Sequence, residues 1–254
     1  MAFPNLKNKY KGQSIITPRQ FLQYLKNEGG YPKFRKPKGV IFCYSLLILK
    51  YIKKKYKAKK VSAFSGETYL IGNKGNQIAI VGNFGIGAPI VATIMEEFIA
   101  MGVKKFISIG DAGSIQKSLD IGDIVICDRA IRDEGVSHHY MKSAPYATAS
   151  KSMTMKIEKI LKRRNLKYFK GASWTIDSPY RETISEIKRY QRQGVLTVEM
   201  EAAAIFAVAK YRKVIAGALF VVSDNLGELI WEPKFHLTTK PLEEVFEIAK
   251  ESLL

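Results

Sequence analysis

The chain has 254 residues, of which 46% are hydrophobic and 25% charged, with a net charge of +18. That is enough for one domain with a full core, and the composition is that of an ordinary globular protein. No apolar run reaches the roughly 18 residues that a membrane-spanning helix needs, and the start MAFPNLKNKYKGQ has no apolar stretch after a basic beginning, so neither a membrane span nor a secretory signal is expected.

Residues 1–37 are polar and basic, and form an N-terminal extension with one short amphipathic helix predicted over Thr17 to Asn27, where Thr17-Pro18 supplies a cap and a first-turn proline. From Gly39 the pattern changes. Apolar runs at 40–44, 77–84, 105–110, 123–131 and 214–223 predict strands, and 195–200 predicts a shorter one. Helical periodicity fits 45–57, 88–102, 149–164, 181–193, 201–212 and 241–252. The alternation predicts a single α/β domain over 38–254, with three α/β/α layers around a mostly parallel, mixed and twisted central sheet. Cys43 and Cys127 both fall in strand-like runs, where reduced and buried thiols are expected, as in a cytoplasmic protein. The basic clusters Lys53-Lys54-Lys55 and Lys162-Arg163-Arg164 lie on helix-like segments with apolar residues between them. They read as solvated helix faces, and no nucleic-acid module accompanies them, so no specific nucleic-acid partner is expected.

The most informative stretch is Thr197-Val198-Glu199-Met200-Glu201-Ala202-Ala203-Ala204, followed by Val222-Ser223-Asp224-Asn225. It places two carboxylates, Glu201 and Asp224, at the ends of two elements, where side chains in α/β proteins face the ligand crevice. One acid can grip a polyhydroxylated group while the other gives a proton to a leaving group; alternatively, Glu201 caps its helix and Asp224 begins a surface turn. Taken with Gly85-Ile86-Gly87-Ala88-Pro89, Ile109-Gly110-Asp111-Ala112-Gly113-Ser114 and Ile121-Gly122-Asp123-Ile124-Val125, the chain resembles the nucleoside phosphorylase family, which includes purine nucleoside phosphorylase, uridine phosphorylase and the methylthioadenosine nucleosidases. The resemblance runs from about residue 38 to the C-terminus.

The resemblance implies cleavage of the bond between ribose C1′ and a nucleobase, through a transition state in which the sugar becomes positive. It makes Glu201 the acceptor for the sugar hydroxyls, with Met200 packed on the sugar and Glu199, Gly87 and Gly110 completing the substrate-binding set. Asp224 matches the acid that meets N7 of a purine, with Ser223 orienting it, and so points to a purine base. Tyr180 matches an aromatic wall of the base pocket and Trp174 is a looser candidate; core packing or a subunit contact is the alternative for both. His139, in Ser137-His138-His139-Tyr140, matches a Ser-x-His-aromatic stretch of uridine phosphorylases. No metal is expected, because no ligand set at metal spacing accompanies the two histidines.

At the phosphate site the chain departs from this pattern. The first loop reads Cys43-Tyr44-Ser45-Leu46-Leu47-Ile48, with Tyr44 at the family's glycine position and Ile48 at its arginine position. The next expected arginine falls near Ser62, and the Arg-x-Gly-Ser/Thr element has become Ser108-Ile109-Gly110-Asp111. A carboxylate facing phosphate is repulsive, and the bidentate contacts of arginine are lost. The expectation is therefore hydrolysis of a purine nucleoside, with Asp111 positioning water. One alternative is phosphorolysis, with phosphate as co-substrate and held by Lys50, Arg132 or Arg181; another is a non-catalytic nucleoside-binding protein. No cofactor is implied. A homo-oligomer (dimer, trimer or hexamer) is expected, as is a role in nucleoside salvage.

Overall fold

The computed structural model describes residues 4, 6, 8–73 and 75–254. A short 3-10 turn at Lys9–Lys11 leads to α1 (Pro18–Asn27). Its start is set by a capping box: the Gln20 N–H donates to the Thr17 hydroxyl, and the Thr17 N–H donates to the Gln20 side chain at 2.9 Å. Then follow β1 (Val40–Cys43), α2 (Leu46–Tyr56), β2 (Lys59–Val61), β3 (Glu67–Ile71), β4 (Ile78–Gly82), α3 (Ala88–Ala100), β5 (Lys105–Ser114) and β6 (Ile124–Asp133). The second half contains α4 (Ser137–Tyr140), β7 (Tyr146–Thr148), α5 (Lys151–Arg163), β8 (Tyr168–Ile176), α6 (Ile184–Arg192), β9 (Thr197–Glu199), α7 (Ala202–Arg212), β10 (Ile215–Asn225), β11 (Glu232–Pro233) and α8 (Thr239–Leu253).

All the strands join one mixed sheet. Parallel pairing lies at its centre, where β1 pairs with β4 and β5, and β5 pairs with β10. Antiparallel neighbours flank it: β2 and β3 at one edge, and β6 against β10 at the other side. The long strand β5 is the pivot. Its first half pairs with β1, and its end, at Gly113 and Ser114, pairs instead with β9. Because β9 also pairs with β8, β8 with β6, and β6 with β10, five strands close into a ring at their far ends. An open sheet thus curls into a partial barrel just where the candidate residues sit.

Two layers of helix cover the faces. Helices α3 and α7 pack on one side, around Phe98, Phe106, Phe206 and Phe220. Helices α2, α5 and α8 pack on the other, around Ile52, Ile107, Leu219 and Phe246. A smaller cluster with α6 fills the end of the ring. The N-terminal helix α1 lies against α3, with Leu22 buried beneath it.

Three sequence expectations need correction. Strand β8 was not predicted, because Lys170, Gly171, Ser173 and Thr175 interrupt its apolar pattern. Inside the ring those small polar groups are satisfied locally: the Ser173 hydroxyl donates to the Thr197 carbonyl at 3.2 Å, and the Thr197 hydroxyl donates to Ser173 at 3.1 Å. The helix predicted from 181 starts at Ile184, since Pro179–Arg181 forms a 3-10 turn and a Thr183–Glu186 capping box fixes the first turn. Trp174 walls no pocket. It is fully buried, its ring centroid lies 4.9 Å from that of Tyr190, and its indole N–H donates to Asp133 at 2.9 Å.

Trp174→Ala should therefore lower unfolding stability by about 3–5 kcal/mol, as measured by chemical denaturation. A loss below about 1 kcal/mol would contradict a core role.

Candidate active site

The turn before α3 brings the glycine motif to the start of α7. Gly85 and Gly87 have φ of +86° and +108°, a region that only glycine enters without strain. With that geometry the Gly87 N–H donates to Glu201 Oε1 at 2.5 Å. Glu201 is the residue before α7 and is buried.

Glu199, two residues earlier, has a different job. Its Oε2 accepts the N–H groups of Glu201 and Ala202 at 2.8 and 2.7 Å, and its Oε1 accepts the Thr175 hydroxyl. It therefore caps α7, where a helix N-terminus favours negative charge. Burial raises the carboxyls of both Glu199 and Glu201 above the ordinary range, and the charge of Glu199 adds to the effect on Glu201. Met200, between them, is partly buried.

Asp224 lies one residue before the end of β10, beside a register shift after Val222. The Ser223 hydroxyl donates to its Oδ1 at 2.7 Å, and the indole N–H of Trp231 donates to its Oδ2 at 2.9 Å. The carboxylate lies over Gly113, where an added Cβ would stand 3.0 Å from Oδ2, so the close approach needs glycine. Two further acids face Asp224. Asp111, on β5, is raised to about 6, first by burial and then by the charge of Asp224, against a hydrogen bond with Thr238. One of its oxygens is buried with no hydrogen-bond partner. Glu182 is raised to about 7, by burial and again by Asp224. None of the ion pairs among the described residues involves Glu182, Glu199, Glu201, Asp111 or Asp224.

Tyr44 follows β1 and closes the near side. A Cβ on Gly110 would sit 3.1 Å from the Tyr44 ring, and the Tyr44 hydroxyl lies 3.5 Å from the Ser108 hydroxyl. Phe84 packs edge-on to the same ring, with centroids 5.2 Å apart. Burial pushes the phenol well above its ordinary range, and the charge of Glu201 adds to this, so the ring stays neutral.

The structure therefore gathers Glu199, Met200, Glu201, Gly87, Gly110 and Tyr44 on one side and Ser223, Asp224 and Asp111 on the other. It leaves out three residues that the sequence put forward. Trp174 is core, as described. Tyr180 sits on the turn before α6, 99% exposed, and walls nothing within the chain. His139, on α4, lines a separate cleft with Lys9 and Tyr140. Sequence reasoning missed Trp231, Glu182 and Thr238. Trp231 lies only seven residues after Asp224 on the turn leading to β11, and an indole at that distance was the one available signal. Among the described residues, no group of three or more His, Cys, Asp or Glu side chains is placed to hold a metal ion. Nor is any helix among them long and apolar enough to cross a membrane.

The architecture is that of an α/β domain with a mixed sheet, and it superposes on solved relatives. Uridine phosphorylase from Vibrio fischeri matches with a TM-score of 0.73 at 24% identity, covering 85% of this chain and 91% of that one. The family model described as the phosphorylase superfamily matches residues 40–253, and this chain belongs to that family. A DeoD-type purine nucleoside phosphorylase of Haemophilus ducreyi is 32% identical over 185 residues, covering 71% of this chain and 76% of its own. A uridine phosphorylase of Haemophilus influenzae is 26% identical over 203 residues, covering 74% and 81%. The protein is thus an enzyme-family member related to both purine and uridine phosphorylases.

The raised Asp111 carboxyl gives a stability prediction with a definite sign. The folded state holds its proton more tightly than the unfolded chain, so the stability present below about pH 4 is lost as pH rises through about 6. Asp111→Asn removes that loss. The variant should be more stable than wild type by about 3 kcal/mol at pH 8 and indistinguishable at pH 4, in parallel urea titrations. Equal stability at both pH values would show that Asp111 is not held in a desolvated place.

Proposed function

We propose that this protein cleaves the N-glycosidic bond of a purine nucleoside with water rather than phosphate as the nucleophile. The observation that carries this reading is Tyr44. Its ring packs on Gly110, and its hydroxyl lies near Ser108. These positions come from the two segments that correspond to the phosphate-holding loops of phosphorolytic relatives. A phosphate dianion there would meet a neutral phenol, a serine hydroxyl and the acids Asp111 and Glu201. Each like-charge pair at about 4 Å is repulsive by roughly 4 kcal/mol at an effective dielectric constant of about 20.

The cations offered for a phosphorolytic alternative are committed elsewhere or outward-facing. Arg132 is buried, its Nε donating to Ser137 and its Nη1 to the carbonyls of Lys142 and Ala144, so it braces the segment around α4, while its Nη2 is buried without a hydrogen-bond partner. Lys50 and Arg181 are exposed.

In the hydrolytic reading, Glu201 exchanges the Gly87 N–H for the sugar diol, and its charge favours the positive sugar as the bond breaks. Asp224, in its protonated form, gives that proton to N7 of the departing purine and regains one from solvent. The bond electrons pass to the base. Asp111 takes a proton from water as the water oxygen joins C1′, leaving free ribose and free base. A base raised to about 6 is nearly matched to that task at neutral pH. The purine preference rests on the Ser223-Asp224 pair. Assembly into a homo-oligomer is part of the proposal, supported by Tyr180 and by exposed Ile230, Trp231, Phe235 and Leu237 in one short stretch beside the site.

Base release from adenosine, inosine, guanosine and methylthioadenosine, with and without phosphate, tests this directly. Equal release in both conditions, with free ribose as product, is expected. Asp111→Asn should lower kcat by about 10²–10⁴-fold with KM little changed, and wild-type kcat should fall as pH drops below about 6. Phosphate-dependent release of ribose 1-phosphate would overturn the reading. Binding without release under any condition would favour a nucleoside-binding protein instead.

A further inference from the structure

A cleft of about 630 Å³ includes none of Glu201, Asp224 or Asp111. It lies between the N-terminal segment with α1 and the outer side of α3, and is bounded by α4 and the end of α7. We propose that this cleft is a second binding site, which takes a small organic ammonium ion carried on an apolar or aromatic body.

The argument rests on Glu97 and does not depend on the reaction assigned to the first site. Two neighbouring acids of α3 line the cleft, and they differ in one respect. Glu96 is satisfied: the Arg212 Nε donates to both of its oxygens, at 2.9 and 2.7 Å. Glu97 is only 8% exposed, and its Oε2 is buried without a hydrogen-bond partner. A buried carboxylate with an unmet oxygen is costly to keep, and protein chains seldom leave one so without a use. Lys9 and Arg212 also border the cleft, yet burial alone accounts for the raised Glu97 carboxyl, at about 7, with no cation close enough to lower it.

What surrounds Glu97 fits the body of such a ligand. Pro18, Phe21, Pro89, Val136 and Tyr140 supply an apolar and aromatic lining. Tyr140 meets Tyr211 edge-on, with ring centroids 5.4 Å apart, and ring faces of this kind attract an ammonium group. The volume is that of an ordinary small-molecule site, which is concave and mostly apolar with a few placed polar groups. In a chain of net charge +18, a cation needs a local acid free of its own ion pair. Glu97 is that acid.

The probe is 2-phenylethylamine, compared with 2-phenylethanol, which has similar shape and no charge, by isothermal titration of the full chain at pH 8. The amine should bind at least tenfold more tightly than the alcohol. Glu97→Gln, which keeps the side-chain size, should abolish that preference. Phe21→Ala should weaken the amine several-fold while keeping the preference, and provides a second reading should the first variant fold poorly. Asp224→Asn should leave amine binding unchanged. Equal binding of amine and alcohol would overturn the proposal, as would a preference that survives Glu97→Gln or disappears in Asp224→Asn. So would sedimentation showing that a second copy of the chain covers the cleft and excludes the amine.

Discussion

Glu199 binds the backbone at the start of α7, and most of the site's geometry follows from that contact. Its carboxylate takes two helix N–H groups and the Thr175 hydroxyl of β8. One side chain therefore ties helix α7, strand β9 and strand β8 together at the place where the ring of strands closes. Thr175 in turn accepts the Ala203 N–H at 3.0 Å, so the tie is reinforced one residue further along the helix. With the helix start fixed, Glu201 can reach only toward the glycine loop, where Gly87 meets it. Removing the Glu199 carboxylate would leave buried N–H groups unmet and free the residue beside it. Its value to the site is positional rather than chemical.

The site also resolves an apparent conflict in the charge. A chain at +18 suggests anionic partners. Yet the residues that converge at the strand ends are acids, Glu182, Glu199, Glu201, Asp111 and Asp224, and all of them lie outside the ion pairs of the described residues. Most lysines and arginines pair with other acids at the surface or stay solvated, for example Lys55 with Glu247 and Arg164 with Glu244. Net charge is thus a property of the outer shell. The side chains that line the crevice are acids instead, an arrangement that in the proposed reaction suits a sugar that turns positive.

Much of this was legible in the sequence, for physical reasons. The apolar strand runs and the capped helices carry their own periodicity, so β1, β4, β5, β6, β10 and the helices that follow them could be read directly. Glu201, Asp224 and Asp111 stood out as candidates because their flanking motifs are contiguous. The ring closure could not. It depends on β8, an interrupted strand whose polar Ser173 and Thr175 are satisfied by Thr197, Glu199 and the start of α7. Trp174 misled for the same reason: without β8 in view, an indole near the site looked like a pocket wall. Trp231 was invisible because a side chain reaching back seven residues to Asp224 leaves no periodic trace. The plugging role of Tyr44 was half legible, since a tyrosine at a glycine position announces lost space but not what fills it.

The hydrogen bonds already made in the crevice bear on how catalysis would be driven. Glu201 is already satisfied by Gly87, and Asp224 by Ser223 and Trp231. In the proposed reaction, a substrate diol or a purine nitrogen replaces existing hydrogen bonds rather than meeting vacant ones. Such an exchange is close to neutral in the ground state, since a net hydrogen bond contributes only about 1 kcal/mol. The balance changes once the sugar carries positive charge. A neutral backbone N–H cannot compete with a cation for a buried carboxylate, and the interaction strengthens in a low-dielectric site as charge develops. Groups that are self-satisfied at rest and favour the charged sugar most strongly bind the transition state better than the substrate, which is the condition for their binding energy to appear in kcat.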